Sequence, residues 1–268
     1  MNKQLATAIR TTFAQPAGSI KGFVLWEGPS QLTGDPVVMI ATLNSNNVKT
    51  GNMIQIWYLR RDMHPVQATQ SGDDIAICGG CMHRPSLGGA CYVNVGQAPA
   101  SIYKAYKRGA YPKIDVTVSD YIWAFFFTRY VRFGAYGDPA SVPFEITSRV
   151  LQHAIGFTGY THQAGHPNYD QRYDLICMTS VDTVKQALKV QSEGGRYFRV
   201  KTAEGELLEN EIICPSETVG AKCENCRLCA GLMRGTEPNI VITVHGAKAG
   251  RYESKYAKQN LIPLEAVA

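Results

Sequence analysis

Seven of the eight cysteines fall in two short windows, and thiols gathered in this way are metal chemistry before they are anything else. The first window reads Cys78-Gly-Gly-Cys81-Met-His83-Arg-Pro-Ser-Leu-Gly-Gly-Ala-Cys91. Its glycines let the backbone turn tightly enough to aim several sulfurs at one centre. Three thiolates with His83 would close a structural zinc site, whereas three thiolates alone suit a four-iron cluster with one iron left open. The second window is Cys214-Pro, then Cys223-Glu-Asn-Cys226-Arg-Leu-Cys229. Its four thiolates suffice for zinc or for a complete iron–sulfur cluster. The C-x2-C-x2-C run is more typical of iron–sulfur proteins than of zinc ribbons, whose ligands come as separated pairs. Metal binding is therefore expected at Cys78, Cys81, Cys91, Cys214, Cys223, Cys226 and Cys229. Cys177, inside the apolar DLICMTS, reads as a packing residue.

Other candidates stand where apolar runs give way to polar residues. VRFGAY runs into Gly137-Asp138-Pro139, IGFTGY into Thr161-His162-Gln163, and DLICMTS into Ser180-Val181-Asp182. Asp138 has the chemistry of a general base, a nucleophile or a substrate acceptor, and also that of a turn or helix cap. His162 suits a base, a proton donor or a metal ligand, or is an ordinary surface histidine, and His166 is the weaker second candidate. Asp182 precedes the helical TVKQA and reads either as that helix's N-cap or as a third catalytic group, with Ser180 beside it as a substrate contact.

These residues need elements to hold them. Met1 to about Asp35 shows no sustained period and is expected to be an irregular segment, leaving residues 36–268 as a single α/β domain. Val37 to Leu43 and Asn52 to Leu59 look like strands joined by an Asn-rich turn, and Ile75 to Cys78 is a short apolar run ending in cysteine. Ala98 to Arg108 has Pro near its start and Gly109 just after its end, as helices do. From Val131 onward, apolar runs at 131–136, 155–160, 174–180, 196–201, 211–214 and 239–246 interleave with helical stretches at about 142–154 and 182–193. Such alternation predicts a mainly parallel sheet, here a complete or partial TIM-like barrel with cysteine-rich loops. A Rossmann-type sheet is the competitor, weakened because no GxGxxG follows an early strand. In a barrel, Cys78, Asp138, His162, Asp182 and Cys214 would share one rim.

With 268 residues, 45% of them hydrophobic and 18% charged, and a mean hydropathy of −0.15, the composition excludes disordered and fibrous chains. The most apolar run, Tyr121 to Phe127, is too short to cross a bilayer and reads as a buried helix or strand. The first residues lack a secretory signal's compact apolar stretch, so a cytoplasmic location with reduced thiols and no membrane partner is expected. The net charge of +5 permits phosphate contacts. Basic residues gather at Lys104, Lys107, Arg108 and Lys113, and again at Lys248, Arg251, Lys255 and Lys258. Around the first group, Tyr92, Tyr103, Tyr106 and Tyr111 either stack on bases while Lys104, Lys107 and Arg108 meet phosphates, or form the buried face of a helix.

The stretches CGGCMHR, CYVNVGQAPASIYKAYKRGAYP, VRFGAYGDPASVP, TGYTHQ, MTSVD, YFRV and CP with CENCRLCAG resemble a phage- and prophage-encoded family of unknown function, over about Asn47 to Gly231. That resemblance implies an infected bacterial host as the location and brings no reaction with it. More distantly, the chain is similar to the deazaguanine transglycosylases, TIM barrels with an aspartate nucleophile and a late cysteine-rich zinc site. Asp138 with Cys214, Cys223, Cys226 and Cys229 would be the counterparts, although that family's zinc motif is C-x-C-x2-C with a later His.

The leading expectation is thus a metal-containing transferase acting on a nucleic-acid base or nucleotide, base exchange in DNA through Asp138 being its most concrete form. A second expectation is an iron–sulfur enzyme resembling the radical S-adenosylmethionine class, with S-adenosylmethionine as cofactor, an open cluster on Cys78, Cys81 and Cys91 and an auxiliary cluster on the second window. Those enzymes usually present C-x3-C-x2-C, and this chain has C-x2-C-x9-C. A third is a zinc-stapled nucleic-acid-binding or host-takeover protein whose metals only hold loops.

Overall fold

Segments as apolar as PVVMIAT and IQIWYLR form strands that must be covered on both sides. They become β2 (Pro36–Thr42) and β3 (Ile54–Arg60) of the computed structural model, which describes residues 19–114, 123–235 and 237–260. The first sheet has the order β1 (Gly22–Pro29), β2, β3, β4 (Tyr130–Tyr136), β5 (Gly156–Thr158). Its first three strands are antiparallel, and β3, β4 and β5 run parallel. The second sheet is parallel throughout, in the order β6 (Tyr160–Thr161), β7 (Met178–Val181), β8 (Tyr197–Lys201), β10 (Asn239–Thr243), β9 (Glu211–Ile213).

One stretch of chain joins the two sheets. β5 pairs with β4 and β6 pairs with β7, and between them stands Gly159, whose N–H donates to the Cys229 carbonyl at 2.8 Å while its own carbonyl accepts from Met178 at 3.0 Å. A Cβ here would lie 2.9 Å from both Cys177 Sγ and the Ile176 carbonyl oxygen, so only glycine fits without displacement.

Eight helices are used below: α1 (Pro65–Ser71), α2 (Ile75–Cys78), α3 (Ala98–Lys107), α4 (Phe144–Leu151), α5 (Val184–Ser192), α6 (Pro215–Thr218), α7 (Cys223–Cys226) and α8 (Ala249–Tyr256). The main core lies around the first sheet, with Phe23, Met39, Tyr58, Trp123, Phe126 and Phe133 all buried. In the second sheet, Val181 and Tyr197 pack with Val184 and Ala187 of α5, whereas Met178 and Ile240 pack with Cys229, Phe198 and Tyr160. Arg199 and Glu211 form a fully buried bidentate pair at 2.7 and 2.6 Å, tying β8 to β9.

The α/β class is as expected, and the described strands form two five-stranded sheets that are not closed, with β10 inserted between β8 and β9. Several local expectations are corrected. The segment expected to be irregular contains β1, whose first four residues are all buried, so it shows no period-two alternation to reveal it. IAIC is a helical turn, with Ala76 and Ile77 buried and Ile75 exposed, because a four-residue apolar run has no periodicity to declare its type. Gln171–Leu175 is a 3-10 turn, and the strand expected from residue 174 begins only at Met178. Of the Tyr121–Phe127 run, residues 121 and 122 lie outside the described residues, as do residues 1–18 of the N-terminal segment. No described helix is long and apolar enough to cross a membrane.

Candidate metal centres and active-site rim

Parallel strands deliver side chains to the space beyond their carboxyl ends, and β4, β6 and β7 deliver Asp138, His162 and Asp182 there. Asp138 is buried, and both of its oxygens are engaged. Oδ1 accepts from the Ala140 amide at 3.0 Å and the Thr161 hydroxyl at 2.9 Å, and Oδ2 accepts from the His162 amide at 2.8 Å and Gln163 Nε2 at 3.3 Å. Burial pushes this carboxyl up, against the pull of those donors. With its lone pairs so used, Asp138 acts as a bracket that caps the turn Pro139–Ser141 and fixes the loop after β6.

Asp182 does something else. The N-cap of α5 is Thr183, whose hydroxyl accepts from the Gln186 amide while the Gln186 side chain returns to the Thr183 and Asp182 amides, a capping box. Asp182 Oδ1 instead meets His83 Nε2 at 2.8 Å. Burial pushes the Asp182 carboxyl up, but the His83 hydrogen bond and the charges of His83, His162 and Lys255 outweigh it and hold it below its usual range. His83 stacks on Tyr252 with ring centroids 5.6 Å apart and lies 5.8 Å from the His162 ring. One ligand atom from each of His83, His162 and Asp182 lies within 4.8 Å of the other two.

The first cysteine window folds back onto this rim. Gly79, at φ +46, permits the turn after α2, and the Gln163 amide fastens it by donating to the Cys78 carbonyl at 2.8 Å and accepting from Gly80 N–H at 3.0 Å. Arg84 donates to Asp74 Oδ1 and to the carbonyls of Gly72 and Gly79, and the Cys91 amide returns to the His83 carbonyl at 3.0 Å. Cys78, Cys81 and Cys91 thereby come within electrostatic reach of one another. Burial pushes Cys81 up to about 12 and raises Cys78 and Cys91 as well, so these thiols keep their protons near neutral pH unless a cation replaces them. The Tyr136 hydroxyl, buried beside Cys78 and Cys91, has no hydrogen-bond partner.

The second window forms its own cleft. Cys214, Cys223, Cys226 and Cys229 line it with Thr158, Tyr160, Arg227 and Ile240. The loop is anchored by Cys214 N–H to Val241, Cys223 N–H to Lys49, and the Asn52 amide to Glu224. Burial raises Cys214 and Cys223 and pushes Cys229 up to about 12. The Thr158 hydroxyl, buried in the cleft wall, also lacks a partner. Four thiols and an unmatched hydroxyl thus line one small cleft, while among the described residues the group that brings three possible ligand atoms within 4.8 Å of one another is His83, His162 and Asp182. Arg132 links the two windows, lying over the Tyr160 ring at 5.5 Å and donating to the Tyr92 hydroxyl at 3.3 Å.

The basic residues fall into two groups. α3 packs on α1 and β3 through Ile102 and Tyr103 and leaves Lys104, Lys107 and Arg108 in solvent, with Lys107 over the Tyr103 ring. Tyr103 is buried and Tyr106 half-buried against Glu27, as a core face of α3 would be, while Tyr92 is 70% exposed. The second basic group is the one beside the rim: Lys248 Nζ donates to the Cys91 carbonyl at 3.1 Å, and Lys255, on α8, lies over Tyr256. Ser180 is half-buried on β7, His166 Nδ1 accepts from the Asn168 amide, and Cys177 is a buried packing residue. Sequence reasoning missed Gln163, Arg132, Tyr136 and the α8 tyrosines, and the only early signal for His83 as a partner of Asp182 was its place in the cysteine window.

No protein-family model, curated protein or solved structure matches this chain. Its function is therefore read from the site alone.

Proposed function

We propose that this chain is a metal-dependent enzyme acting on a nucleotide or a nucleic-acid base. The observation that carries the reading is the meeting of His83, His162 and Asp182 with the first cysteine window at the strand ends, beside Lys248 and Lys255. Lysines at that place can neutralise phosphate, and the exposed Tyr92 ring offers a stacking face next to Cys91. Asp182 orients the His83 imidazole, His162 faces the substrate from the open side, and Asp138 positions the His162 loop rather than attacking. Cys78, Cys81 and Cys91 would hold one centre, and Cys214, Cys223, Cys226 and Cys229 another. A zinc ion or iron–sulfur cluster held there supplies Lewis-acid or electron-transfer chemistry.

A second reading, an iron–sulfur enzyme with an open iron, is favoured by the uneven thiol sets. Three thiols stand beside the rim, and four line the separate cleft. The parallel run β3, β4, β5–β6, β7 and β8 is also what a partial TIM-like barrel would supply.

The test is metal and acid-labile sulfide content with a visible spectrum on protein purified without oxygen, followed by binding of nucleoside triphosphates and short DNA to the wild type and Lys255→Ala. Iron with sulfide supports the second reading, and zinc in colourless protein supports transfer chemistry. Metal-free protein overturns both. Metal-loaded protein that binds neither nucleotides nor DNA overturns the substrate class.

A further inference from the structure

His83, His162 and Asp182 come from three separate pieces of chain, the loop after α2, the end of β6 and the end of β7, and yet present two imidazoles and one carboxylate to a common point. From this geometry we propose a mononuclear site for a divalent first-row transition cation, distinct from the cysteine centres and independent of the substrate class proposed above.

The donor set fits such a cation. Two imidazoles and one carboxylate are borderline ligands that suit iron(II), manganese(II) or zinc, and three protein ligands leave positions free for water or substrate. Donor atoms around such a cation sit roughly 3 to 3.5 Å apart, given ligand bonds of about 2.0 to 2.2 Å. The His83–Asp182 hydrogen bond at 2.8 Å is already close to this spacing, the cation taking the place of its proton, which leaves to solvent, and the limit of 4.8 Å for the trio leaves the His162 ring a short rotation to make. His162 is only half-buried, so solvent reaches its side of the trio.

The surroundings hold the ligands in place, as outer groups of metal sites do. The His83 ring is stacked by Tyr252 and approached by Tyr256, and Tyr252 donates its hydroxyl to the carbonyls of Asp182 and Val200. The Asp138 bracket fixes the backbone at His162. Thr183, by taking over the cap of α5, leaves the Asp182 carboxylate to face the imidazoles. The arrangement is also separate in kind from the thiol sites. Hard and borderline cations such as manganese prefer these N and O donors, and soft thiolates select zinc, copper(I) and iron–sulfur clusters.

That preference supplies the test. Mn2+ is titrated into protein purified without oxygen, with whatever its cysteines hold left in place, and uptake is followed by the loss of the free-ion electron paramagnetic resonance signal. Wild type is expected to take up a single Mn2+ saturably, Asp182→Asn and His162→Ala to bind at least tenfold more weakly, and Lys185→Ala, at an exposed position of α5, to bind as wild type. Thermal melts of each variant accompany the titrations, and His162→Ala serves as the decisive variant should Asp182→Asn fail to fold. Absence of saturable uptake by the wild type overturns the site, as does undiminished uptake by folded His162→Ala. An equal loss of uptake in Lys185→Ala shows the effect to be non-specific and overturns it too. A protein that binds Mn2+ in this way but no nucleotide retains the cation site and loses only the substrate class.

Discussion

Asp182 directs its carboxylate to His83 Nε2, 2.8 Å away and 99 residues earlier in the chain, and leaves the capping of α5 to its neighbour Thr183. Two adjacent residues of similar capping chemistry thus do different work, and the difference is measurable. Thr183→Ala removes the hydroxyl that accepts from Gln186 and should cost about 1 kcal/mol of stability, within the usual range for a lost N-cap. Urea denaturation reads that cost. The same substitution should leave metal content unchanged, and a loss of metal with intact stability would reverse the assignment of roles.

The Arg199–Glu211 pair has no access to solvent on either side chain. Glu211→Ala strands a buried guanidinium and should destabilise the fold by roughly 3 to 5 kcal/mol, the usual cost of breaking one half of a buried pair. Replacing both residues by apolar ones of similar volume should recover most of this. Chemical denaturation of the single and double variants gives the comparison, and a single variant as stable as wild type would show the pair to be dispensable.

Gly159→Ala places a methyl group 2.9 Å from Cys177 Sγ and from the Ile176 carbonyl oxygen. The expected cost is about 1 to 3 kcal/mol, as for other overpacked positions. Because Gly159 N–H also holds the Cys229 carbonyl, the variant should retain less metal at the second window than at the first. Denaturation and metal analysis of Gly159→Ala test both parts.

In protein stripped of metal by a chelator, Cys81 and Cys229 should be slow to alkylate. Each thiol is pushed up to about 12 by burial, so at pH 9 only about one in a thousand is thiolate, and reaction should accelerate as pH rises toward 12. A raised thiol value means protonation is favoured below it, which gives the direction of the effect. Iodoacetamide labelling with mass spectrometry across pH measures it. Rapid labelling at pH 8 would mean that the thiols are more exposed than the fold places them.

Local pattern carried much of this protein. The glycine-rich and C-x2-C-x2-C spacings marked the two thiol sets, Pro and Gly punctuated α3, and alternating apolar runs gave most strands of the parallel region, because each of these signals is complete within a dozen residues. What lay beyond the sequence was long-range. The insertion of β10 between β8 and β9, the saturation of Asp138 by four donors and the pairing of Asp182 with His83 depend on which distant segments pack together. An aspartate at a strand end looks the same in sequence whether it caps, braces or faces a histidine. Only the donors that folding places around its two oxygens, and the water that folding removes, decide between them.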